Sequence, residues 1–455
     1  MKVESIQLKH TLHFTDIKLS FNQKPMTLIL GDQGSGKTTI LKFTYQALTW
    51  FSARYKDLRA AGVVMLDQDI MLTRLQSKID LCIHVPNDLI PLTDAGERDT
   101  NVPNLCTWQL YKTLNSHGVG ISKVNTQKLE HLVELYQLAI QQDQLQGLPL
   151  IAYYPAERFV NEINISSKNN SAIFHTSYAY DISALPFTTF NRFFEWFREM
   201  SDIENAQMAQ FFQQLLTEAS TQQGQHQDIL QQLMHVQAHM QAPSLTALKH
   251  ALNSVIPTLE DIFIQYHPKL QLMVNYQGKT MLYQQLSNSV KNWIALIGDV
   301  VRRLCLLNPH SLYPCREGDG ILMIDAIDHQ LDQNTSQVIL KRLHQAFPRL
   351  QIIATGNRNE LLEHANEFQC FKIENKQLIE LEIPPTQATF DQIYQSLRVD
   401  EAIIEQNSLL EFKTETITPE SIWQQIQQYL SPDQQTELRR LITAQDDQSS
   451  STPLH

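Results

Sequence analysis

A glycine-rich segment near the start of the chain, residues 31–38, constrains the fold more than any other feature of the sequence. It reads Gly-Asp-Gln-Gly-Ser-Gly-Lys-Thr and matches the pattern G-x-x-x-x-G-K-[ST]. The apolar run 26–30 before it predicts a buried strand, and residues 38–47 after it have the spacing of a helix. Strand, loop and helix in this order predict a phosphate-binding loop, and a chance glycine-rich turn is the weaker alternative.

The residues of this loop predict how it would hold a nucleotide. Backbone N–H groups and the helix N-terminus face the phosphates because they carry partial positive charge. Lys37 would reach the β- and γ-oxygens, Thr38 would ligate Mg²⁺, and Thr39 would touch the α-phosphate. The predicted cofactors are therefore ATP and Mg²⁺. The predicted nucleotide-binding residues are Gly31, Asp32, Gln33, Gly34, Ser35, Gly36, Lys37, Thr38 and Thr39.

The length and composition of the chain indicate a globular protein with more than one unit. At 455 residues it exceeds the roughly 250–300 residues at which single cores stop growing. Hydrophobic residues make up 42% and charged residues 18%, which indicates a globular protein whose excess polarity is carried by glutamine instead of charge. The net charge of −12 argues against a chain wrapped in nucleic acid, although it leaves a local basic groove open.

The cysteines indicate reduced thiols, and the hydropathy pattern indicates a chain without a membrane span. The cysteines number five, without a C-x-x-C pair, so they predict neither a disulfide framework nor a zinc site. They are Cys82, Cys106, Cys305, Cys315 and Cys370. No stretch approaches the roughly 18 apolar residues of a membrane span, and the N-terminus lacks a signal-peptide core. We therefore expect a cytoplasmic location and no membrane.

Apolar residues alternate with polar ones over several further stretches, which predicts strands. The predicted strands are 3–9, 11–21, 62–66, 79–84, 148–154, 321–324 and 351–355, with a hairpin over 261–286. Residues 87–104 hold two prolines and several polar turn formers and predict a surface loop, whereas residues 107–144 predict helix. A small antiparallel pair before the phosphate-loop strand is typical of ABC-type ATPase heads.

Residues 187–254 predict a helical insertion. Phe190, Phe193 and Phe197 recur there at helical spacing, together with Trp196. Such an aromatic stripe favours a role in the core over a ligand site.

Several stretches resemble, in order, a family of bacterial ABC-type, SMC-related AAA ATPases that includes the ATPase subunits of Septu-type and retron-linked anti-phage systems. They are Tyr-Tyr-Pro-Ala-Glu-Arg (153–158), Phe-Phe-Glu-Trp-Phe-Arg-Glu (193–199), Asp-Ile-Glu-Asn (202–205), Gln-Leu-Ser (285–287), Ala-Leu-Ile-Gly-Asp (295–299) with Arg302-Arg303-Leu304, Leu-Asn-Pro (307–309) and Gly-Ile-Leu-Met-Ile-Asp (320–325). The resemblance covers most of residues 1–395. It implies ATP-dependent homodimers in which two nucleotides are sandwiched between heads, working with a separate effector protein.

The resemblance implies an α/β fold, a P-loop NTPase of the ABC-type head class with a mostly helical insertion and a helical C-terminal tail. Residues 1–186 form the first half of the head, including the helical segment 107–144, and residues 187–254 form the insertion. Residues 255–384 form the second half with the signature helix and the Walker B strand. Residues 385–455 form a polar helical tail whose end is expected to be disordered.

The residues expected to serve hydrolysis depart from the family pattern. Asp325 ends an apolar strand, where a Walker B carboxylate would hold Mg²⁺. Ala326 occupies the position of the family's catalytic glutamate, and a methyl group can neither accept a proton nor orient water. Asp328 is an alternative base, although it lies two positions farther along the chain. Gln68 is a weaker metal candidate, at the place where an ABC head carries a glutamine that contacts Mg²⁺.

Two further departures affect the sensing of the γ-phosphate. The family signature reads Leu-Ser-Asp-Gly, and its serine and glycine amide contact the γ-phosphate of the opposite subunit. At this trans signature the chain has Ser287, Asn288 and Ser289 after the leucine. Ser287 is retained, but the Ser289 side chain occupies space needed for close approach of the backbone. Gly356 stands where the family has a switch histidine. One loss would suit an engineered trap, whereas three together suggest a naturally degenerate ATPase.

Some neighbouring residues have more ordinary interpretations. Arg302 and Arg303 could contact phosphate, and structural ion pairs are an equal alternative. His329 is expected to face solvent. For Glu157 and Arg158 we expect a structural salt bridge near the nucleotide or the dimer face.

Three functions remain in competition. The first is a nucleotide-gated dimeric switch with weak or absent hydrolysis. The second is an active ATPase in defence or DNA repair that uses Asp328 or a partner residue as its base. The third, a non-catalytic scaffold, is disfavoured because Lys37, Thr38 and Asp325 are all retained.

Overall fold

The computed structural model describes residues 1–22, 24–89, 104–160, 174–180, 186–221, 243–362 and 367–381, all within the compact unit Met1–Ile383. The strands are β1 (Lys2–Thr11), β2 (Phe14–Ser20), β3 (Met26–Gly31), β4 (Gln76–His84), β5 (Leu105–Leu114), β6 (Gly120–Asn125), β7 (Leu150–Tyr154), β8 (Leu259–Gln265), β9 (Gln271–Tyr276), β10 (Lys279–Leu282), β11 (Gly320–Ile324), β12 (Leu350–Gly356), β13 (Gln369–Glu374) and β14 (Gln377–Leu381). The helices are α1 (Lys37–Lys56), α2 (Gln127–Gln142), α3 (Pro186–Thr221), α4 (Pro243–Val255), α5 (Asn288–Leu307), α6 (Pro314–Glu317) and α7 (Gln333–Ala346). The predicted tail, 385–455, lies outside the described residues.

A six-stranded sheet in the order β14-β13-β3-β12-β11-β7 carries the phosphate-binding loop. Its strands β13, β3, β12, β11 and β7 run parallel, and β14 pairs antiparallel with β13. All residues of β7, β11 and β12 are buried, as expected for parallel strands covered on both faces. Because parallel strands end at the same edge, the segments after β3, β11 and β12 meet there.

A five-stranded antiparallel sheet in the order β2-β1-β4-β5-β6 packs beside the central sheet. The predicted strands at 3–9, 11–21 and 79–84 belong to it, but the predicted helix over 107–144 is wrong in its first half. Residues 105–114 and 120–125 are strands, and the helix is confined to Gln127–Gln142. In β5 the buried residues Cys106, Trp108 and Leu110 alternate with more exposed ones, which is the periodicity of a strand.

The predicted strand at 62–66 is also wrong, because this segment is irregular. Its backbone polar groups are bonded to side chains of α1 instead of to a neighbouring strand. Val63 N donates to Thr49 Oγ1 at 2.9 Å, and Trp50 Nε1 donates to Val63 O at 3.1 Å. Of the predicted surface loop at 87–104, Asn87–Leu89 forms a 3-10 turn, and residues 90–103 lie outside the described part.

The predicted insertion contains α3 and α4, and residues 222–242 between them are not described. The aromatic residues of α3 are buried, which confirms their role in the core: Phe190, Phe193, Phe194, Trp196 and Phe197 are all at most 3% exposed. A Cβ on Gly298 of α5 would lie 2.3 Å from the ring of Phe193, so this glycine allows α3 and α5 to approach closely.

The strands β8, β9 and β10 form the predicted hairpin region and lead into α5. Its tight turn is Gln277-Gly278, where both residues have positive φ, 53° and 71°. Within the described ranges, no helix is both long enough and apolar enough to cross a bilayer.

Candidate functional site

The phosphate-binding loop connects β3 to α1, as the sequence predicts, and its glycines are required by its shape. Gly34 and Gly36 have φ of 75° and 105°, in the region that favours glycine. A Cβ on Gly36 would lie 2.2 Å from His13 Nε2 and 2.4 Å from Phe14 Cζ. The turn between β1 and β2 therefore packs directly against the loop, a contact that joins segments distant in the sequence.

The ammonium of Lys37 lies inside the loop. Its Nζ donates to the carbonyl oxygens of Gly31 at 2.5 Å and Asp32 at 2.8 Å. Burial lowers the pKa of Lys37, and the carboxylates of Asp325, Asp328 and Asp32 oppose this shift. A bound phosphate could therefore replace these neutral carbonyl oxygens as the acceptor for Lys37, because a charge-assisted hydrogen bond to an anion is stronger.

Thr38 and Asp325, the two principal predicted metal ligands, are in direct contact. Thr38 Oγ1 donates to Asp325 Oδ2 at 2.7 Å. Asp325 is 2% exposed, whereas Thr38 at the loop is exposed and the neighbouring Thr39 is largely buried. A hydroxyl and a carboxylate are the oxygen donors that Mg²⁺ prefers, so these residues fit the ion that the motif predicts.

Thr355, at the end of β12, is a site residue that the sequence did not reveal. Its Oγ1 donates to Asp325 Oδ1 at 2.5 Å and accepts from Ala326 N at 2.8 Å. The strand β12 lies between β3 and β11, so Thr355 reaches the aspartate from the side. The signal that could have found it is a polar residue at the carboxyl end of an otherwise apolar strand.

Ala326 follows Asp325 in a tightly held turn. Its φ is 44°, in the left-handed region that residues other than glycine seldom adopt. Its carbonyl accepts from Arg158 Nη2 at 2.9 Å and from His329 N at 3.0 Å. The position of the expected glutamate therefore has a fixed backbone and a side chain without an acceptor.

Asp328, the alternative base, is buried, and one of its oxygens is bonded to backbone. Its Oδ2 accepts from Asn357 N at 2.8 Å and from Arg358 N at 2.9 Å. A Cβ on Gly356 would lie 3.6 Å from Asp328 Cγ, so the carboxylate lies beside the segment where the resemblance led us to expect a switch histidine. This geometry favours a role in holding the segment after β12.

The signature residues lie at the start of α5. Ser287 caps the helix by accepting from Val290 N at 3.3 Å, and both Ser287 and Asn288 are exposed. Ser289 Oγ donates to Gln330 O, in the turn after β11, at 2.6 Å. Among the described residues, no hydrogen bond joins these three residues to the phosphate-binding loop of the same chain.

Arg302 and Arg303 are structural ion-pair partners. Arg302 Nη2 lies 2.8 Å and Arg303 Nε 2.7 Å from the carboxylate of Asp299, and Tyr154 OH donates to the same group at 2.7 Å. Burial alone would raise the pKa of Asp299, but the two guanidiniums lower it below its usual value. All four groups are buried, so a phosphate contact is excluded for this arrangement.

The remaining candidates lie apart from the loop or bond differently from the prediction. Gln68 is exposed in the 3-10 turn Asp67–Asp69, and no described hydrogen bond links it to Thr38 or Asp325. His329 is exposed, as expected. Arg158 forms no salt bridge within the described residues; it donates to backbone carbonyls, and burial lowers its pKa to about 10 against the opposing effect of Asp325 and Asp328.

Comparison with known proteins identifies a family and relatives. The sequence model of the AAA domain family matches residues 5–260. The Retron Ec83 probable ATPase of Escherichia coli is 25% identical over 415 residues, covering 83% of this chain and 72% of the relative. The Retron Vc95 probable ATPase of Vibrio cholerae serotype O1 biovar El Tor is 24% identical over 378 residues, covering 78% and 70%.

Solved structures similar to the chain include SMC heads. One is an Smc head bound to the C-terminal winged-helix domain of ScpA, with a TM-score of 0.43 at 10% identity, covering 84% of this chain and 98% of that one. Another is the SMC head domain from Thermotoga maritima, with a TM-score of 0.38 at 12% identity, covering 84% and 100%.

Proposed function

The chain belongs to the AAA domain family of P-loop ATPases, and from this premise we propose that it is an ATP-binding dimeric switch for a separate effector, with weak or absent hydrolysis. The family membership confirms the α/β P-loop fold expected from the sequence. The observation that carries the proposal is that, at one edge of the central sheet, the residues for binding Mg²⁺ meet whereas a base for hydrolysis is missing. Thr38 and Asp325 meet at 2.7 Å, while the next residue, Ala326, offers no base.

Binding of ATP is supported by the loop and its cation. The glycines leave room for phosphate oxygens against the backbone, and Lys37 can exchange its carbonyl partners for the β- and γ-oxygens. Thr38 and Asp325 would hold the Mg²⁺ that accompanies ATP in this family. Bound Mg²⁺ would neutralise part of the phosphate charge.

Weak hydrolysis is expected because neither Ala326 nor Asp328 offers a free general base for the attacking water. A positioned general base typically contributes about 10²–10⁴-fold to the rate. Ala326 supplies none, and Asp328 already accepts two backbone N–H groups. We therefore expect nucleotide turnover to be slow, whereas nucleotide binding persists.

A homodimer is supported by the exposure of the signature. Ser287 and Asn288 face solvent at the start of α5 and make no described hydrogen bond to their own loop. A second head could therefore present its nucleotide to them. The effector, an anti-phage role and a cytoplasmic location belong to the proposal, supported by similarity to proteins named as retron probable ATPases.

The test compares ATP-dependent association with phosphate release by the pure protein. We expect the parent to shift from monomer to dimer with ATP and Mg²⁺ in analytical ultracentrifugation, and Lys37→Ala to stay monomeric. Phosphate release should remain far below about 1 s⁻¹. Brisk release would favour the active ATPase, with Asp328 or a partner residue as base, and an absence of nucleotide binding would favour the scaffold.

A further inference from the structure

Arg158 is a buried cation whose hydrogen bonds go to backbone carbonyls of the nucleotide site. It follows β7 and is 4% exposed. Its Nη1 donates to Asp325 O at 2.5 Å and to Pro155 O at 3.0 Å, and its Nη2 donates to Ala326 O at 2.9 Å. Burying a charge is costly unless it is well bonded, and these carbonyls compensate for part of that cost.

The backbone of the same residue is bonded to α5. Asn292 Nδ2 donates to Arg158 O at 3.1 Å, and Asn292 Oδ1 accepts from Val160 N at 2.9 Å. Asn292 Nδ2 also donates to Gln330 Oε1 at 2.9 Å, and the guanidinium of Arg158 lies 6.0 Å from the ring centroid of Trp293. Arg158 is therefore fixed between the turn after β11 and the first turns of α5.

We propose that Arg158 is a positioning residue of the nucleotide site, which aims the Asp325 carboxylate at Thr38 by holding the carbonyls of Asp325 and Ala326. The proposal rests on the proposed function, because it assumes that Mg²⁺ with ATP binds there. A planar guanidinium has donors in a rigid fork and can bond both carbonyls at once, whereas the ammonium of lysine is a compact point charge without that fork. Without this clamp, Ala326 would lose one of the bonds that hold its left-handed backbone.

The predicted consequence is specific to the metal. Groups that orient metal ligands typically contribute about 10–100-fold to metal affinity. Arg158→Met should therefore reduce the gain in ATP affinity that Mg²⁺ provides by about tenfold, while affinity in EDTA changes less than about twofold. A purely structural arginine would weaken binding equally in both conditions.

The experiment measures ATP binding by calorimetry with Mg²⁺ and with EDTA for the parent, Arg158→Met and Arg158→Lys. Arg198→Met is the matched control, because Arg198 is likewise buried, at 8% exposed, and forms an ion pair with Asp202 of the same helix, α3. We expect both Arg158 variants, and not the control, to lose the Mg²⁺-dependent gain. Equal losses in the two conditions, or none, would overturn the proposal.

Hydrogen exchange of the nucleotide-free proteins provides an independent readout. Arg158→Met should speed exchange in 325–331 and 288–294, and Asn292→Ala should do the same from the other side if Arg158→Met fails to fold. Unchanged exchange in both segments would overturn the proposal. If the parent binds no ATP, the proposed function fails, and the exchange result alone decides the role of Arg158.

Discussion

The loop that would bind phosphate and the turn that would support hydrolysis lie at the same sheet edge, yet they differ in what they retain. The loop has its glycines, Lys37 and Thr38 in the expected geometry. The positions proposed for hydrolysis lack the side chains that the family resemblance led us to expect, but the backbone of Ala326 is bonded to Thr355 and Arg158. Binding relies on backbone shape and a few cations and hydroxyls, so it can persist after the loss of a single positioned base.

The largest expected effect tests how firmly α5, the helix at whose start residues 287–289 lie, is packed in the core. Phe193 is fully buried against Gly298 of α5, the helix that begins with the signature. Phe193→Ala should lower the free energy of unfolding by about 3–5 kcal/mol. Chemical denaturation measures this, with Tyr313→Ala, 62% exposed, as the control. A Phe193→Ala protein of parental stability would point to an exposed partner surface instead.

The next effect tests whether the absence of a base at Ala326 explains why hydrolysis is expected to be weak while binding persists. Ala326→Glu should raise phosphate release by about 10²-fold, the low end of a general-base contribution. The gain is limited because Ser289 and Gly356 remain, and because glutamate must adopt the φ of 44° found here. Steady-state phosphate assays measure the rate. Ala326→Gln, similar in size but without a base, should show no such rise, and an equal rise would contradict this explanation.

The binding region itself is tested by removing its cation. Lys37→Ala deletes a charge-assisted contact worth about 1.5–3 kcal/mol, so ATP affinity should fall at least about tenfold. Calorimetry measures the affinity. Lys42→Ala, on the same helix with an exposed side chain, should leave it unchanged. Parental affinity in Lys37→Ala would show that the nucleotide site is assigned wrongly.

The smallest effect concerns the bond that Ser289 makes with Gln330. Ser289→Ala removes the donor of this exposed bond and should lower the free energy of unfolding by about 0.5 kcal/mol, the low end for a single hydrogen bond. Ser289→Thr keeps a hydroxyl and serves as the control in the same denaturation experiment. A tightening of ATP-dependent association in Ser289→Ala alone would show that the bond restrains dimer formation.

The binding loop was predictable because its residues are contiguous and their conformations are set locally. The bonds of Asp325 to Thr355 and of Ala326 to Arg158 were not, since they depend on β12 and β7 flanking β11 in the sheet. The helix predicted over 107–144 extended the true helix Gln127–Gln142 back across β5 and β6. There the alternation around Trp108 was the stronger signal, because burial on one face of a sheet has a period of two.

The position of β3 in the central sheet has a consequence for how the protein is made. β3 is among the first strands to be synthesised, yet its two neighbours, β12 and β13, are among the last of the described chain. Such non-local pairing forms late, and unpaired strand edges expose a nascent chain to aggregation. The strand that leads into the phosphate-binding loop therefore gains its second neighbour only after translation has passed residue 374, so the loop reaches its folded setting when nearly all of the sheet exists.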